Sequence, residues 1–163
     1  MSKSSIRVFA PVLLAGALLG ALSVGASASE TARTAGQTQK FLVLQSDPNS
    51  EGGGPMAANG PIHAHGTDVV ISDSKDRFKF PDGNVVIKHK PDKNGSAESF
   101  DPVTCLFTFT EHGTWKTVSG TGAYAAVQGS GTYRVLGQGF GCDENKPPEV
   151  FSFRIAGKGP LSY

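Results

Sequence analysis

The feature that most constrains this fold is a glycine-rich segment at residues 120–131, which reads Gly-Thr-Gly-Ala-Tyr-Ala-Ala-Val-Gln-Gly-Ser-Gly. Glycine adopts backbone conformations that other residues avoid, and it lets two backbones approach closely. A flexible linker rarely has a tyrosine and a valine within its glycine frame. The segment therefore predicts a tight corner between two β-strands, with Tyr124 packed beneath it as an anchor.

The N-terminus has the pattern of an export signal. Lys3 and Arg7 lie at the start, a run without charge follows at residues 8–24, and Ala-Ser-Ala occupies residues 26–28. Signal peptidase recognises small residues in this spacing. We predict a signal peptide over residues 1–28, a secreted protein and no membrane anchor after cleavage. A retained anchor is the alternative, because the apolar run is nearly long enough to span a bilayer.

Removing residues 1–28 from the 163-residue chain leaves 135 residues, enough for one domain with its own hydrophobic core. Lys3 and Arg7 leave with the signal, so 13 basic side chains face 14 acidic ones. This balance gives no electrostatic reason to expect nucleic acid or an anionic membrane as a partner. Residues 29–40 are polar and aperiodic, which predicts a disordered segment before a single domain at residues 41–163.

Two cysteines, Cys105 and Cys142, remain in the mature chain. An exported protein meets an oxidising environment, so we predict a disulfide between them, with one possible connectivity. Free thiols that act as metal ligands or as a nucleophile are the alternative. Neither cysteine lies in a Cys-x-x-Cys arrangement, which favours the disulfide.

Short apolar or alternating segments follow one another along the domain, with polar or glycine-rich turns between them. We predict eight strands, at residues 41–45, 61–71, 77–80, 85–90, 103–111, 114–119, 132–136 and 150–155. Loops are expected at residues 47–60 and 91–102, and His112-Gly113 is expected to turn the chain. No amphipathic helix or long crossover is predicted.

An antiparallel sheet of eight strands in so short a domain closes or nearly closes, because closure removes exposed edges. We therefore predict an all-β fold, a single antiparallel eight-stranded β-barrel. The interior of such a barrel is filled by side chains or holds one small ligand. A two-sheet β-sandwich is the alternative, since strand patterns alone do not distinguish the two.

Four segments together resemble a known family: Phe-Asp-Pro-Val-Thr-Cys at 100–105, Gly-Thr-Trp at 113–115, Ser-Gly-Thr-Gly-Ala-Tyr at 119–124 and Gly-Ser-Gly-Thr-Tyr at 129–133. They resemble secreted actinobacterial proteins of the allene oxide cyclase-like barrel group, to which plant dirigent proteins are related. The similarity covers roughly residues 41–162. It implies an eight-stranded barrel with a hydrophobic central cavity. Characterised members guide the cyclisation or coupling of reactive hydrophobic molecules, mainly by shape. No catalytic residue of the family maps onto a matched position here.

His63 and His65 form the sharpest local motif. Residues two apart on a strand share a face, so both imidazoles could reach one metal ion. Two histidines supply half of a site, and Asp68, His89 or His112 would have to complete it. Two polar residues on a barrel wall or in solvent are the simpler interpretation. We therefore predict no metal or other cofactor.

Glu111 shares a predicted strand face with Phe107 and Phe109. If that face points into the barrel, an apolar cavity would raise the pKa of the carboxyl, as a general acid or base requires. A position of Glu111 at the solvent-exposed rim of the barrel is the simpler interpretation. The side chains predicted to line a ligand cavity are Phe107, Phe109, Trp115 and Tyr124. The candidates for acid–base chemistry are Glu111, His63 and His65.

Three functions remain open, because the sequence has no nucleophile elbow, phosphate-binding loop, zinc-protease motif or dinucleotide fingerprint. The first is a secreted, disulfide-closed barrel that binds a small hydrophobic ligand or acts as a non-catalytic scaffold. The second is a cyclase or isomerase that folds a hydrophobic substrate by confinement. The third is an exported interaction module or inhibitor that uses the loops at 47–60 and 91–101.

Overall fold

The computed structural model describes residues 36–47, 53–143, 145–146 and 148–163. The predicted signal peptide at 1–28 and the predicted disordered residues 29–35 lie outside these ranges. Eight strands follow in sequence order: β1 (Gln37–Gln45), β2 (Gly54–Asn59), β3 (Ala64–Ser72), β4 (Lys75–Phe80), β5 (Gly83–Asp101), β6 (Leu106–Gly120), β7 (Gln128–Phe140) and β8 (Val150–Ser162). Within the described ranges, no helix is long and apolar enough to cross a membrane.

Each strand pairs antiparallel with the next one in sequence, and β8 also pairs with β1, so the sheet closes on itself. The prediction of an all-β, eight-stranded antiparallel barrel is confirmed, and the two-sheet sandwich is not formed. The strand number was predicted correctly even though one strand was missed and another was divided in two.

The missed strand is β2, which lies inside the predicted loop at 47–60. Met56 and Ala58 point into the core and are 4% and 5% exposed, while Ala57 is half-buried and Pro55 and Asn59 are exposed. Gly and Pro residues at its start masked this short alternation. The residues before it also differ from the prediction: β1 begins at Gln37, so residues 37–40 pair with β8 rather than belonging to a disordered segment.

The divided strand is β6, which passes through His112 and Gly113 without turning. Gly113 is buried and pairs with Pro91 on one side and Tyr133 on the other. A Cβ atom there would collide with the carbonyl oxygen of Lys90 and would lie 2.8 Å from a ring carbon of Tyr133. This glycine allows close packing of strands rather than a reversal. β5 likewise continues through the predicted loop at 91–102, with a register shift between Pro91 and Ser96.

One end of the barrel is closed by packed side chains. Gln39 is fully buried; its Oε1 accepts a 2.8 Å hydrogen bond from the N–H of Ile62, and its Nε2 donates a 3.0 Å bond to the carbonyl of Ile62. The glycine-rich corner lies at this end, where a 3₁₀ turn (Gly122–Tyr124) joins β6 to β7. As predicted, Tyr124 is buried beneath the corner, with its ring edge-on to those of Phe80 and Tyr163 at 5.8 and 5.0 Å.

At the other end, β5 to β8 extend past the four shorter strands. β5 has no β4 partner beyond Lys88, and β8 has no β1 partner before Phe153. We call residues 91–101, 106–112, 134–140 and 150–153 the projecting sheet. Cys105 and Cys142, at the tips of its two hairpins, form a disulfide with an S–S distance of 2.04 Å, which confirms the predicted pairing. The bond ties these tips together.

Candidate functional site

A cavity of about 280 Å³ occupies the barrel between the closed end and the projecting sheet. Most of its wall is apolar and comes from six of the eight strands: Phe41, Val43, Phe78, Ile87, Trp115, Val135 and Ile155. The cavity reaches the surface beside Ser72, the last residue of β3, and Asp73, which follows it; both are exposed. Ligand sites in proteins commonly begin at about 300 Å³. The cavity therefore suits a small molecule or one end of a larger one.

Gly157 on β8 creates part of this space. It pairs with Phe41 on one side and Tyr133 on the other. A Cβ atom added there would lie 3.5 Å from Nε1 of Trp115 and 3.8 Å from Cδ2 of Phe41, which are ordinary contacts. A larger side chain would extend into the cavity. The absence of a side chain at this position therefore enlarges the cavity.

Two buried polar atoms on the cavity wall have no hydrogen-bond partner among the described residues: Oδ1 of Asp68 and Nε1 of Trp115. Asp68 lies on β3 and is 4% exposed. Burial, followed by the charge of Asp76, raises the pKa of its carboxyl from 3.8 to about 7. Unpaired polar groups are rare inside proteins because their desolvation is costly. Both atoms lack a partner in the described structure but have almost no accessible surface, so a ligand can bond to them only after the surrounding side chains shift.

A second acidic group, Asp76 on β4, is paired. Its Oδ2 lies 3.3 Å from Nε2 of His89 on β5, and both residues line the cavity. Burial raises the pKa of Asp76, and the charge of His89 opposes that rise. The imidazole of His89 is also edge-on to the ring of Tyr133, 5.7 Å away. The pair can hold one proton between a carboxylate and an imidazole inside the cavity.

Glu111 lies on β6 and points into the cavity, where the hydroxyl of Tyr133 donates a 2.7 Å hydrogen bond to its Oε1. Its Oε2 accepts a 3.1 Å bond from the hydroxyl of Ser96. Burial, together with the bond to Glu111, raises the pKa of Tyr133 above its ordinary value. This carboxyl is therefore held in place by two hydroxyl donors.

The inner face of the projecting sheet bears a wall of four phenylalanines above the cavity mouth: Phe107, Phe109, Phe151 and Phe153. Ring centroids of Phe151 and Phe153 are 4.4 Å apart, and those of Phe109 and Phe153 are 5.6 Å apart. Phe153 also lines the cavity, so the wall and the cavity are continuous. A ligand longer than the cavity would extend along these rings.

The structure distributes the sequence-predicted residues over four regions. Trp115 and Glu111 line the cavity, Phe107 and Phe109 lie on the phenylalanine wall, and Tyr124 packs in the closed end. His63 and His65 are exposed on the outside of the barrel, away from Asp68 and His89. No group of three or more metal-ligating side chains occurs in the described part of the chain.

The polar side of the cavity is formed by Asp68, Asp76, His89 and Tyr133. Sequence reasoning named Asp68 and His89 only as possible metal ligands and missed Asp76 and Tyr133. A signal was present, because Asp76 stands two and four residues before the core residues Phe78 and Phe80 on one strand face. Of the two segments expected to be interaction loops, residues 91–101 lie wholly within β5, and residues 54–59 of the other segment form β2. Residues 48–52 lie outside the described ranges.

Comparisons with protein-family models, curated proteins and solved structures found no match to this chain. The resemblance to the allene oxide cyclase-like group stays a prediction from the sequence motifs of the glycine-rich corner and its neighbours. A fold alone does not specify a function, so the cavity supplies the functional evidence.

Proposed function

We propose that this protein is an exported β-barrel that binds a small, mostly apolar ligand in its cavity. The observation that supports this function best is that two residues of a mostly apolar cavity lining have buried polar atoms without a partner among the described residues, Asp68 Oδ1 and Trp115 Nε1. A barrel selected only as a scaffold would pair these atoms or replace them with apolar groups. A ligand with a donor and an acceptor on an apolar body would satisfy both.

Trp115 makes this proposal measurable, because it is the one tryptophan of the sequence and lies on the cavity wall. We expect apolar compounds that enter the cavity to change its fluorescence. Gly157→Leu, which places a side chain in the cavity, should abolish the response while leaving the fold intact. Unchanged Trp115 fluorescence across a panel of small apolar compounds would contradict ligand binding.

Native mass spectrometry of protein recovered from the medium of a secreting bacterial host would identify the ligand directly. We expect a bound small apolar compound on the wild type and none on Gly157→Leu. The denatured mass tests the proposed export, for which the chain should begin at Ser29. A chain that retains residues 1–28 in the cell would refute export without affecting the binding proposal.

A second candidate, an isomerase or cyclase like those of the resembled group, is favoured by the acid–base groups of the cavity. A carboxyl that titrates near neutral pH both accepts and returns a proton efficiently. Asp68 fits this description, and the Asp76–His89 pair faces the same space. A proton shift within one bound substrate needs no co-reactant, because the proton taken from one carbon is returned to another.

Hydrogen exchange separates this candidate from simple binding. The compound recovered from the native protein would be incubated with fresh protein in deuterium oxide, and its molecular mass would then be measured by mass spectrometry. If the protein is an isomerase, the wild type should introduce deuterium into the compound, and Asp68→Asn should not. Trp115 fluorescence would show that the variant still binds the compound. A compound that binds but neither exchanges hydrogen nor is converted would support ligand binding and contradict catalysis.

A further inference from the structure

The charged groups of the cavity are almost all acidic. Four carboxyl side chains line it, those of Asp68, Asp73, Asp76 and Glu111. Among the described residues that line it, His89 is the one basic side chain, with no lysine or arginine. An apolar cavity with this excess of carboxyl groups disfavours anionic ligands through like-charge repulsion.

Asp68 is the carboxyl whose charge is left without a partner. Asp76 is paired with His89, Glu111 is held by Tyr133 and Ser96, and Asp73 lies in an exposed connection. Oδ1 of Asp68 is buried on the cavity wall and has no partner in the described chain. A cationic nitrogen that donates to this oxygen would satisfy both the hydrogen bond and the charge.

Aromatic rings surround the same space. Phe41 lies between Phe78 and Trp115, with ring centroids at 5.0 and 5.5 Å, and all three line the cavity. The faces of aromatic rings attract cations, most strongly in tryptophan. These rings would also bury the hydrocarbon part of a ligand.

We infer that the ligand of this cavity is a small hydrophobic amine, bound as an ammonium ion with its nitrogen at Asp68. This inference rests on the proposed function and adds the chemical class of the head group. A neutral ligand could donate a hydrogen bond to the Asp68 carboxylate but would leave its charge uncompensated, and an ionised carboxylic acid would add a further negative charge beside it.

The titratable groups that share the cavity with Asp68 are Asp73 in the β3–β4 connection, Asp76 on β4, His89 on β5, Glu111 on β6 and Tyr133 on β7. Because the pKa of Asp68 is about 7, its carboxyl becomes anionic as the pH rises through neutrality. An alkylammonium stays charged to about pH 10. Affinity for an amine should therefore increase with pH, whereas a neutral acceptor that binds protonated Asp68 would bind less tightly.

The test compares three compounds that share one hydrocarbon body and do not fluoresce: adamantylmethylamine, adamantylmethanol and adamantanecarboxylic acid. Binding is measured from Trp115 fluorescence at about pH 5.5 and about pH 8.5. At the higher pH we expect the amine to bind about tenfold more tightly than the alcohol, and the acid most weakly. Asp68→Asn should remove about tenfold of the amine affinity and little of the alcohol affinity.

Asp82→Asn is the matched control, since it makes the same change on an exposed side chain at the closed end. Its affinities should equal those of the wild type. Equal binding of all three compounds, preference for the acid, or amine affinity that falls with pH would overturn the inference and leave ligand binding intact. Failure of all three to bind would overturn both this inference and the proposed function.

Discussion

Asp76 and His89 face each other inside the barrel, with Oδ2 of the aspartate 3.3 Å from Nε2 of the histidine. Asp68 lines the same cavity from the neighbouring strand and has no cation beside it in the described structure. Buried carboxyls with a raised pKa lower stability at neutral pH, so proteins keep them chiefly where they serve a site. Burial of the Asp68 carboxyl should therefore lower stability at neutral pH, and its effects on stability and on ligand binding can be measured separately.

Asp68→Asn should change how stability depends on pH. The pKa of Asp68 is raised from 3.8 to about 7, so the folded state holds its proton where the unfolded state has lost it. Stability therefore falls as the pH rises from about 4 to about 7 and stays lower above that range. The free energy of unfolding of the variant minus that of the wild type should therefore increase by about 2–3 kcal/mol from about pH 5 to about pH 8.

Urea denaturation at the two pH values measures this difference. Asp82→Asn serves as the control, because its exposed side chain should give a difference from the wild type that does not change with pH. A constant offset between Asp68→Asn and the wild type would show that Asp68 titrates normally in the folded protein.

Two glycines of β8 should respond differently to substitution by alanine. At Gly157 the added Cβ would make ordinary contacts of 3.5 and 3.8 Å inside the cavity, so stability should stay within about 1 kcal/mol of the wild type. At Gly159 it would collide with the carbonyl oxygen of Ser130 and lie 2.6 Å from Cα of Gly131, which should cost about 1–3 kcal/mol. Thermal unfolding of both variants tests this, and equal losses would mean that Gly157 does not border open space.

Tyr133→Phe removes the hydroxyl that bonds to Glu111 and leaves the ring in place. Tyr133 is 8% exposed, so the loss of its 2.7 Å hydrogen bond should lower the free energy of unfolding by about 1–2 kcal/mol. Ser96→Ala removes the other hydroxyl donor to Glu111, at 3.1 Å in an exposed position. Ser96→Ala should change stability by less than about 0.5 kcal/mol. A comparable loss in both variants would contradict the conclusion that the bond from Tyr133 is the more stabilising of the two.

Cys105→Ser, or reduction of the wild type, opens a disulfide whose cysteines are 37 residues apart in the sequence. Loss of this cross-link increases the entropy of the unfolded chain and should cost about 4 kcal/mol of stability. Urea denaturation with and without a reductant gives the value for the wild type. Cys105→Ser provides the matched control, because a reductant should not change its stability further.

Much of the fold was predictable because it depends on local patterns. Alternation of apolar and polar residues identified seven of the eight strands in part, and the glycine-rich corner with its buried tyrosine was placed correctly. The errors arose where a glycine has two possible roles. Gly113 packs strands closely inside β6, although the sequence around it equally suits a turn.

The candidate site was less predictable, because it is formed by residues that only closure of the barrel brings together. Asp68, Asp76, His89 and Glu111 are up to 43 positions apart in the sequence and lie on four different strands. Alternation shows which residues share a face, but not which face points inward once the ends of a strand are uncertain. Glu111 was identified as a candidate on this basis, while its bond to Tyr133 depended on the register of β6 and β7.

The sequence by itself determined the all-β character of the chain, its packed glycine corner and the pairing of its two cysteines, since these follow from residue type and local spacing. The tertiary structure decided that the barrel is open at one end, because β5 to β8 outrun their neighbours. It also decided that two residues whose buried polar atoms have no partner in the described structure, Asp68 and Trp115, line the same mostly apolar cavity. Long-range register, which local sequence does not encode, is the physical reason.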